Sequence, residues 1–280
     1  MTRQTMTGLA AACMVAASGS AAGQERQPTF NVDYTGPNGS SHLRAIDFGG
    51  GLVFRQFIFA DRATNFQFDG RSGATRVVTA PDCVVGPEPM AAPDMNDSEA
   101  VAEFESRLTE VFANTALGNF VDNQGSSPWF SFVLEMEKPI KDNKHGEDDT
   151  IGEIIFFERG ADVANSYILL EALDAEGNVM GTPYVIDPDQ PISISPSVWV
   201  PVFGGNLQAR SRSQEVGGVS VDLDKLGVAE LSRLRVSRPT VGEHGMTQDM
   251  LSGGRDLNPD FKLVFVQTYD VALTGWFVGD

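Results

Sequence analysis

Apolar and polar residues alternate with a period of two in four early segments, Leu43 to Phe48, Leu52 to Ala60, Asn65 to Asp69 and Ala74 to Thr79, separated by Gly-rich or Asp-Gly breaks. Successive side chains of a strand point to opposite faces, so this pattern predicts short antiparallel strands. Between Pro81 and Asp94 it stops. Pro81, Pro87, Pro89 and Pro93 lack an amide hydrogen and have a fixed φ, which predicts a long surface loop without regular pairing. From Asn96 the period becomes that of a helix, with Val101, Phe104, Leu108, Val111 and Phe112 on one face. Asn96, Asp97 or Ser98 can cap its first amides, and Glu99 and Glu103 sit near the positive end of its dipole. Its end is expected between Asn114 and Asn119, with Gly118 as the left-handed residue.

Strand patterns then return at Trp129 to Met136, Gly152 to Glu158 and Ser166 to Leu173. Asp174-Ala175-Glu176-Gly177 reads as a hairpin turn with glycine where φ must be positive, and Asn178 to Ile186 as the returning strand. Ile192 to Val202, Gly218 to Leu223, Leu231 to Ser237, Phe261 to Gln267 and Val271 to Phe277 complete the series. Many short strands divided by Gly, Pro and Asp turns favour two packed sheets over a parallel sheet. The expected class is therefore all-β: a jelly-roll-like β-sandwich with one amphipathic α-helix and an N-terminal β segment. Residues 23–95 form that segment and the Pro-rich loop, and residues 96–280 the helix and sandwich domain. An outer-membrane barrel is the rival, but its strands carry aromatic girdles, whereas the aromatics here are mainly Phe within the strands.

The first 22 residues stand apart. Arg3 is their only charge, an apolar run from Met6 to Ala17 follows, and small residues fill Ser18 to Gly23. This is the layout of a secretory signal peptide, with cleavage expected after Ala22. The run is too short to cross a bilayer, which takes about 20 apolar residues. Cleavage would remove Cys13 and leave Cys83 as the sole thiol, so no disulfide can form within the mature chain. The 38 acidic residues outnumber 20 Lys and Arg, giving a net charge of -18 that repels nucleic acid and anionic lipid. The compartment expected is secreted or cell-surface, with the periplasm as the alternative.

Catalytic signals are sparse. His42, His145 and His244 have no second His or Cys at ligand spacing, and no nucleophile elbow, phosphate-cradling glycine loop or dinucleotide fingerprint occurs. The polar stretch from Lys141 through Glu147, Asp148 and Asp149 lies between two strong strands, and its hard oxygen donors suit calcium, although its spacing is not that of an EF-hand. Asp187 and Asp189, and likewise Asp222 and Asp224, form sparser acidic pairs that read as surface groups. Trp199, in a Ser-Val-Trp-Val strand, has a ring that could stack on a sugar.

The stretch Gly152-Glu153-Ile154-Ile155-Phe156-Phe157-Glu158-Arg159-Gly160, together with Glu171 to Gly181, Val216 to Val228 and Asn258-Pro259-Asp260-Phe261-Lys262-Leu263-Val264, resembles the central segment of bacterial exosortase-dependent (PEP-CTERM-associated) surface proteins. The resemblance runs from about Leu117 to Phe265. It implies an exported, non-enzymatic surface protein with a sandwich fold. Family members end in a Pro-Glu-Pro motif, an apolar helix and a basic tail; Leu273 to Asp280 carry none of these, so release without exosortase processing is expected. Glu158 and Arg159 are candidates for orienting a loop or touching a ligand.

Three functions follow as expectations. The first is an exported non-catalytic surface or extracellular-matrix protein. The second is a glycan-binding module, calcium-assisted, with Glu158, Arg159 and Trp199 toward an extracellular polysaccharide and Glu147, Asp148 and Asp149 toward the metal. The third is a carbohydrate-active enzyme with paired carboxylates, which leave no local spacing signature.

Overall fold

The segments richest in β-branched and aromatic residues become strands, because such side chains pack well on a pleated surface. The computed structural model describes residues 28–34, 41–49, 52–69, 75–79, 89–123, 129–142, 151–159, 167–187, 193–194, 198–203, 209–247, 250–251 and 260–267. They form three sheets, a two-stranded ribbon and one long helix. The largest sheet runs in the order β13 (Ser193–Ile194), β16 (Val216–Val221), β10 (Ile154–Arg159), β18 (Asp260–Val266), β8 (Phe120–Asn123), β6 (Thr75–Val78) and β7 (Met90–Ala91), with β4 (Phe57–Ile58) also on β18. A five-stranded sheet has the order β12 (Tyr184–Ile186), β11 (Ile168–Ala172), β17 (Glu230–Ser237), β9 (Trp129–Lys141) and β5 (Ala60–Asp69). The third sheet is β1 (Thr29–Tyr34), β2 (Ser41–Asp47) and β3 (Val53–Phe54), and the ribbon is β14 (Val198–Phe203) with β15 (Ala209–Gln214).

Two apolar clusters show how the sheets stack. Ile154 and Phe156 of β10, Phe261, Leu263 and Phe265 of β18 and Val219 and Val221 of β16 join Phe132, Leu134, Leu170 and Val236 of the five-stranded sheet in one cluster. The alternate residues Ile155, Phe157, Val264 and Val266 join Phe30, Leu43, Ile46 and Phe54 of the three-stranded sheet in the other. The eight-stranded sheet is thus the middle layer, buried on both faces. The close approach on one of those faces requires a glycine: a Cβ on Gly218 would lie 2.4 Å from the Phe30 ring, which packs edge-on against Phe157 at 4.8 Å. The outer face of the five-stranded sheet is polar, with Glu135 between Arg62 (2.5 Å) and Arg233 (3.4 Å), and Glu171 bonded to Arg235 (3.0 Å).

The helix α1 (Ser98–Phe112) buries Phe104, Leu108, Val111 and Phe112. Asp97 caps it, accepting from the amides of Glu99 and Ala100 at 3.1 Å. The helix also covers the exposed edge of β5. There the register slips between Thr64 and Gln67, with Asn65 at φ 55°, and the freed amides of Ala63 and Phe66 donate to Thr109 Oγ1 and Glu105 Oε1, both at 2.8 Å. Glu105 and Thr109, one turn apart, stitch helix to strand.

Several expected boundaries move. The helix ends at Phe112, with Ala113 as its cap, and Gly118 is not among the glycines with positive φ; Asn114 instead donates its side-chain amide to Glu110 O at 2.6 Å and fills the end. The expected Pro-rich loop includes paired β7, because Met90 and Ala91 lie between Pro89 and Pro93 and keep their ability to bond across to Val77 and Arg76. The turn at Gly177 forms as expected, with φ 90°, and the returning chain pairs at Val179 and again from Tyr184. Val271 to Phe277 and Cys83 lie outside the described residues.

One buried cation has a defined task. Lys262, 2% exposed, reaches from β18 to the C-terminal end of α1, where its Nζ donates to Val111 O and, at 3.4 Å, to Asn114 Oδ1. The last turn of α1 has no basic residue of its own, so this lysine supplies a positive group to the negative end of the helix dipole. Burial pushes its pKa down from 10.5 to about 7. Between those values the unfolded chain binds more protons than the folded one, so stability must rise with pH. Chemical denaturation from pH 7 to 10 should show that rise in the wild type, and Lys262→Met should flatten it; an identical slope in both would contradict the assignment.

Candidate functional site

One end of the two large sheets gathers acidic groups. The β9 strand ends at Lys141, and Asp142 follows, held by its amide on Ala229 O at 3.2 Å. The β16 strand delivers Asp222, which caps a short 3-10 helix, Leu223–Leu226, by accepting from Asp224 N at 2.7 Å. Carboxylate oxygens of Asp142, Asp222 and Asp224 lie within 4.8 Å of one another. Asp142 and Asp222 are 9% and 6% exposed. Beside them Glu153, 1% exposed, accepts from Leu223 N at 3.1 Å, while its carbonyl takes the amide of Val266 at 2.9 Å. Lys141 pairs with Glu230 across the strands at 3.2 Å.

Three carboxylates at this spacing are hard oxygen donors of the type a divalent cation takes. They also have structural duties. Asp222 and Glu153 satisfy amides at the start of the 3-10 turn, which would otherwise stay unpaired. The residues come from positions 142, 222 and 224; Asp142 belongs to the polar stretch and Asp222 and Asp224 to an acidic pair that the sequence shows separately, but nothing in residue order joins the two. The third member arrives through sheet packing.

The expected site residues are distributed differently. Glu158 is in β10, 4% exposed, with Phe261 as its neighbour on β18 and Gly217 on β16. Arg159 follows it on the same strand, opposite Val216. Trp199 belongs to the separate ribbon, opposite Ser213. Glu147, Asp148 and Asp149 lie outside the described residues, although Asp142, which begins their stretch, is a member of the acidic cluster.

Among the described residues a second polar feature occupies the opposite end of the five-stranded sheet, where Arg238 follows β17. A shallow recess of about 440 Å³ on the three-stranded sheet is lined by Thr29, Asn31, Asp47 and Arg55 among others. No protein-family model, curated protein or solved structure matches the chain.

Proposed function

We propose that the chain is an exported, non-catalytic surface or extracellular-matrix protein built on stacked β layers. The observation that carries this reading is the use of its acidic side chains. Asp97, Glu105, Glu153, Asp222 and Glu243 each accept a hydrogen bond from a backbone amide, at helix starts, a strand bulge and a turn. Hydrogen bonds from Asn96 hold the Asp94 carboxyl below its ordinary pKa, and those from Asn178 do the same for Asp174. These side chains serve as hydrogen-bond acceptors that fix helix starts and loops on the scaffold. The leader-like first 22 residues, the acidic composition and the resemblance to exosortase-dependent surface proteins agree with an exported scaffold. Among the described residues no helix is long and apolar enough to cross a membrane.

Expression of the full chain in a bacterial host, followed by fractionation and N-terminal sequencing, tests export directly. The expected product begins at Gly23 and lies outside the cytoplasm. A cytosolic product that retains Met1 would contradict the reading.

A second reading, a calcium-assisted glycan module, is favoured by the approach of Asp142 to Asp222 and Asp224. Calcium would bring together carboxylates that otherwise repel. Titration calorimetry with calcium, for the wild type and Asp224→Asn, should then show binding that the substitution weakens at least tenfold. Equal heats in the two proteins would remove calcium from this end of the molecule.

A further inference from the structure

The three-stranded sheet turns one parity of its residues inward, where Phe30, Ile46 and Phe54 join the smaller apolar cluster. The register pairs Thr29 with Asp47, Asn31 with Ala45 and Asp47 with Val53, so these five residues share the opposite face. Between Asn31 and Val32 the register slips, and such a bulge bends a strand and re-aims its side chains. The five residues line the recess of about 440 Å³ described above, together with Arg55, which follows β3.

The recess combines an apolar floor with a mixed polar wall. Ala45 is 4% exposed at its centre, and Val53 is open to water at 39%. Around them stand the hydroxyl of Thr29, the carboxamide of Asn31, the carboxylate of Asp47 and the guanidinium of Arg55. Asp47 Oδ1 accepts from the amide of Gly49 at 2.7 Å, which fixes the carboxylate, and Thr29 Oγ1 donates to the Asp47 carbonyl at 3.4 Å. Among the described residues the side chains of Asn31 and Arg55 make no hydrogen bond, and Asp47 and Arg55 form no ion pair.

Four polar groups thus keep bonding capacity for a ligand. Their charges restrict what it can be. A cation meets Arg55 and an anion meets Asp47, and either repulsion counts against the charged ligand. A wholly apolar molecule would leave the polar groups unpaired. The ligand that satisfies all of them is neutral, carries donors and acceptors at close spacing and has a C–H face for Ala45 and Val53; a sugar ring has this composition. The volume falls in the range of about 300–1,000 Å³ usual for small-molecule sites. Because the recess is shallow, the outward hydroxyls of a bound sugar stay in water and need no protein partner.

We propose that the outer face of the three-stranded sheet is a binding site for a neutral sugar, its ring over Ala45 and Val53 and its hydroxyls bonded by Thr29, Asn31, Asp47 and Arg55. The site shares a ligand class with the calcium-assisted reading above but none of its residues, and it needs neither calcium nor export.

Saturation-transfer NMR on the full chain in EDTA tests it, with glucose, galactose and mannose as neutral probes, sodium glucuronate and glucosamine hydrochloride as charged ones, and glycine as a zwitterion. At least one neutral sugar should give a saturable signal, with an affinity at least tenfold above those of glucuronate, glucosamine and glycine. Asn31→Ala and Arg55→Ala, both at exposed positions, should each weaken that binding about tenfold and leave the thermal midpoint unchanged. Asp47→Asn, which keeps an acceptor for Gly49 and removes the charge, should narrow the discrimination against glucuronate. Asp224→Asn should bind the sugar as the wild type does. The proposal is overturned if no neutral sugar binds, if a charged probe or glycine binds as tightly as the best neutral one, or if Asn31→Ala and Arg55→Ala both retain wild-type affinity. Loss of binding in Asp224→Asn alone would also overturn it, by moving the sugar to the acidic end of the large sheets.

Discussion

The burial of one sheet on both faces is the constraint on which the rest of the molecule depends. In β10 and β18 neighbouring residues serve different cores: Phe156 and Phe261 pack toward the five-stranded sheet, while Phe157 and Val264 pack toward the three-stranded one. Phe261 is the point where the larger core converges, with the rings of Phe156, Phe130, Phe112 and Phe132 at 5.6, 6.0, 6.4 and 6.5 Å. Aromatic contacts of this kind add to area burial, and emptying such a position costs about 3–5 kcal/mol. With both faces covered, this sheet belongs to both apolar clusters and so couples the layers on either side of it.

Several polar groups that enter the layers do so at their margins, tied to a backbone end. Lys262 satisfies the C-terminal carbonyls of α1, Glu153 and Asp222 the amides of the 3-10 turn, and Glu105 with Thr109 the bulged edge of β5. The two ends of β9 and β17 differ in the charged groups gathered there. Near Lys141 and Glu230 the acidic cluster gathers; near Ser131 and Ser237 lies the buried Arg238. The outer face of the five-stranded sheet carries the ion pairs of Glu135 and Glu171.

Much of the secondary structure could be read from residue order, and the layering could not. The all-β class, the helix with a cap among Asn96, Asp97 and Ser98, and the Gly177 turn rest on local signals of period and dihedral preference; the structure selects Asp97. Phe120–Asn123 and Ala209–Gln214 carry weak or mixed alternation; Thr29–Tyr34 alternates strictly, with Phe30, Val32 and Tyr34 on one parity, yet is not among the strands expected above. The run Ile154-Ile155-Phe156-Phe157 is apolar at every position because each parity has its own core, yet on sequence alone it reads as one strand of a two-sheet sandwich. The acidic cluster and Arg238 were hidden for a related reason: Asp142 meets Asp222 across 80 positions, and nothing next to Arg238 in the chain marks it as buried. The lone residues that chemistry made conspicuous, Trp199 and Arg159, fall on different sheets.

Native-state hydrogen exchange measures the central constraint most directly, since amides in the most cooperative part of a protein exchange only on global unfolding. If the doubly buried sheet is the keystone, the amides of Phe156, Phe157, Leu263 and Val264 will be the slowest in the molecule, with a common opening free energy equal to that of global unfolding. Exchange at those four positions through local openings, as fast as at the edge strand β5 or at β1, would contradict it.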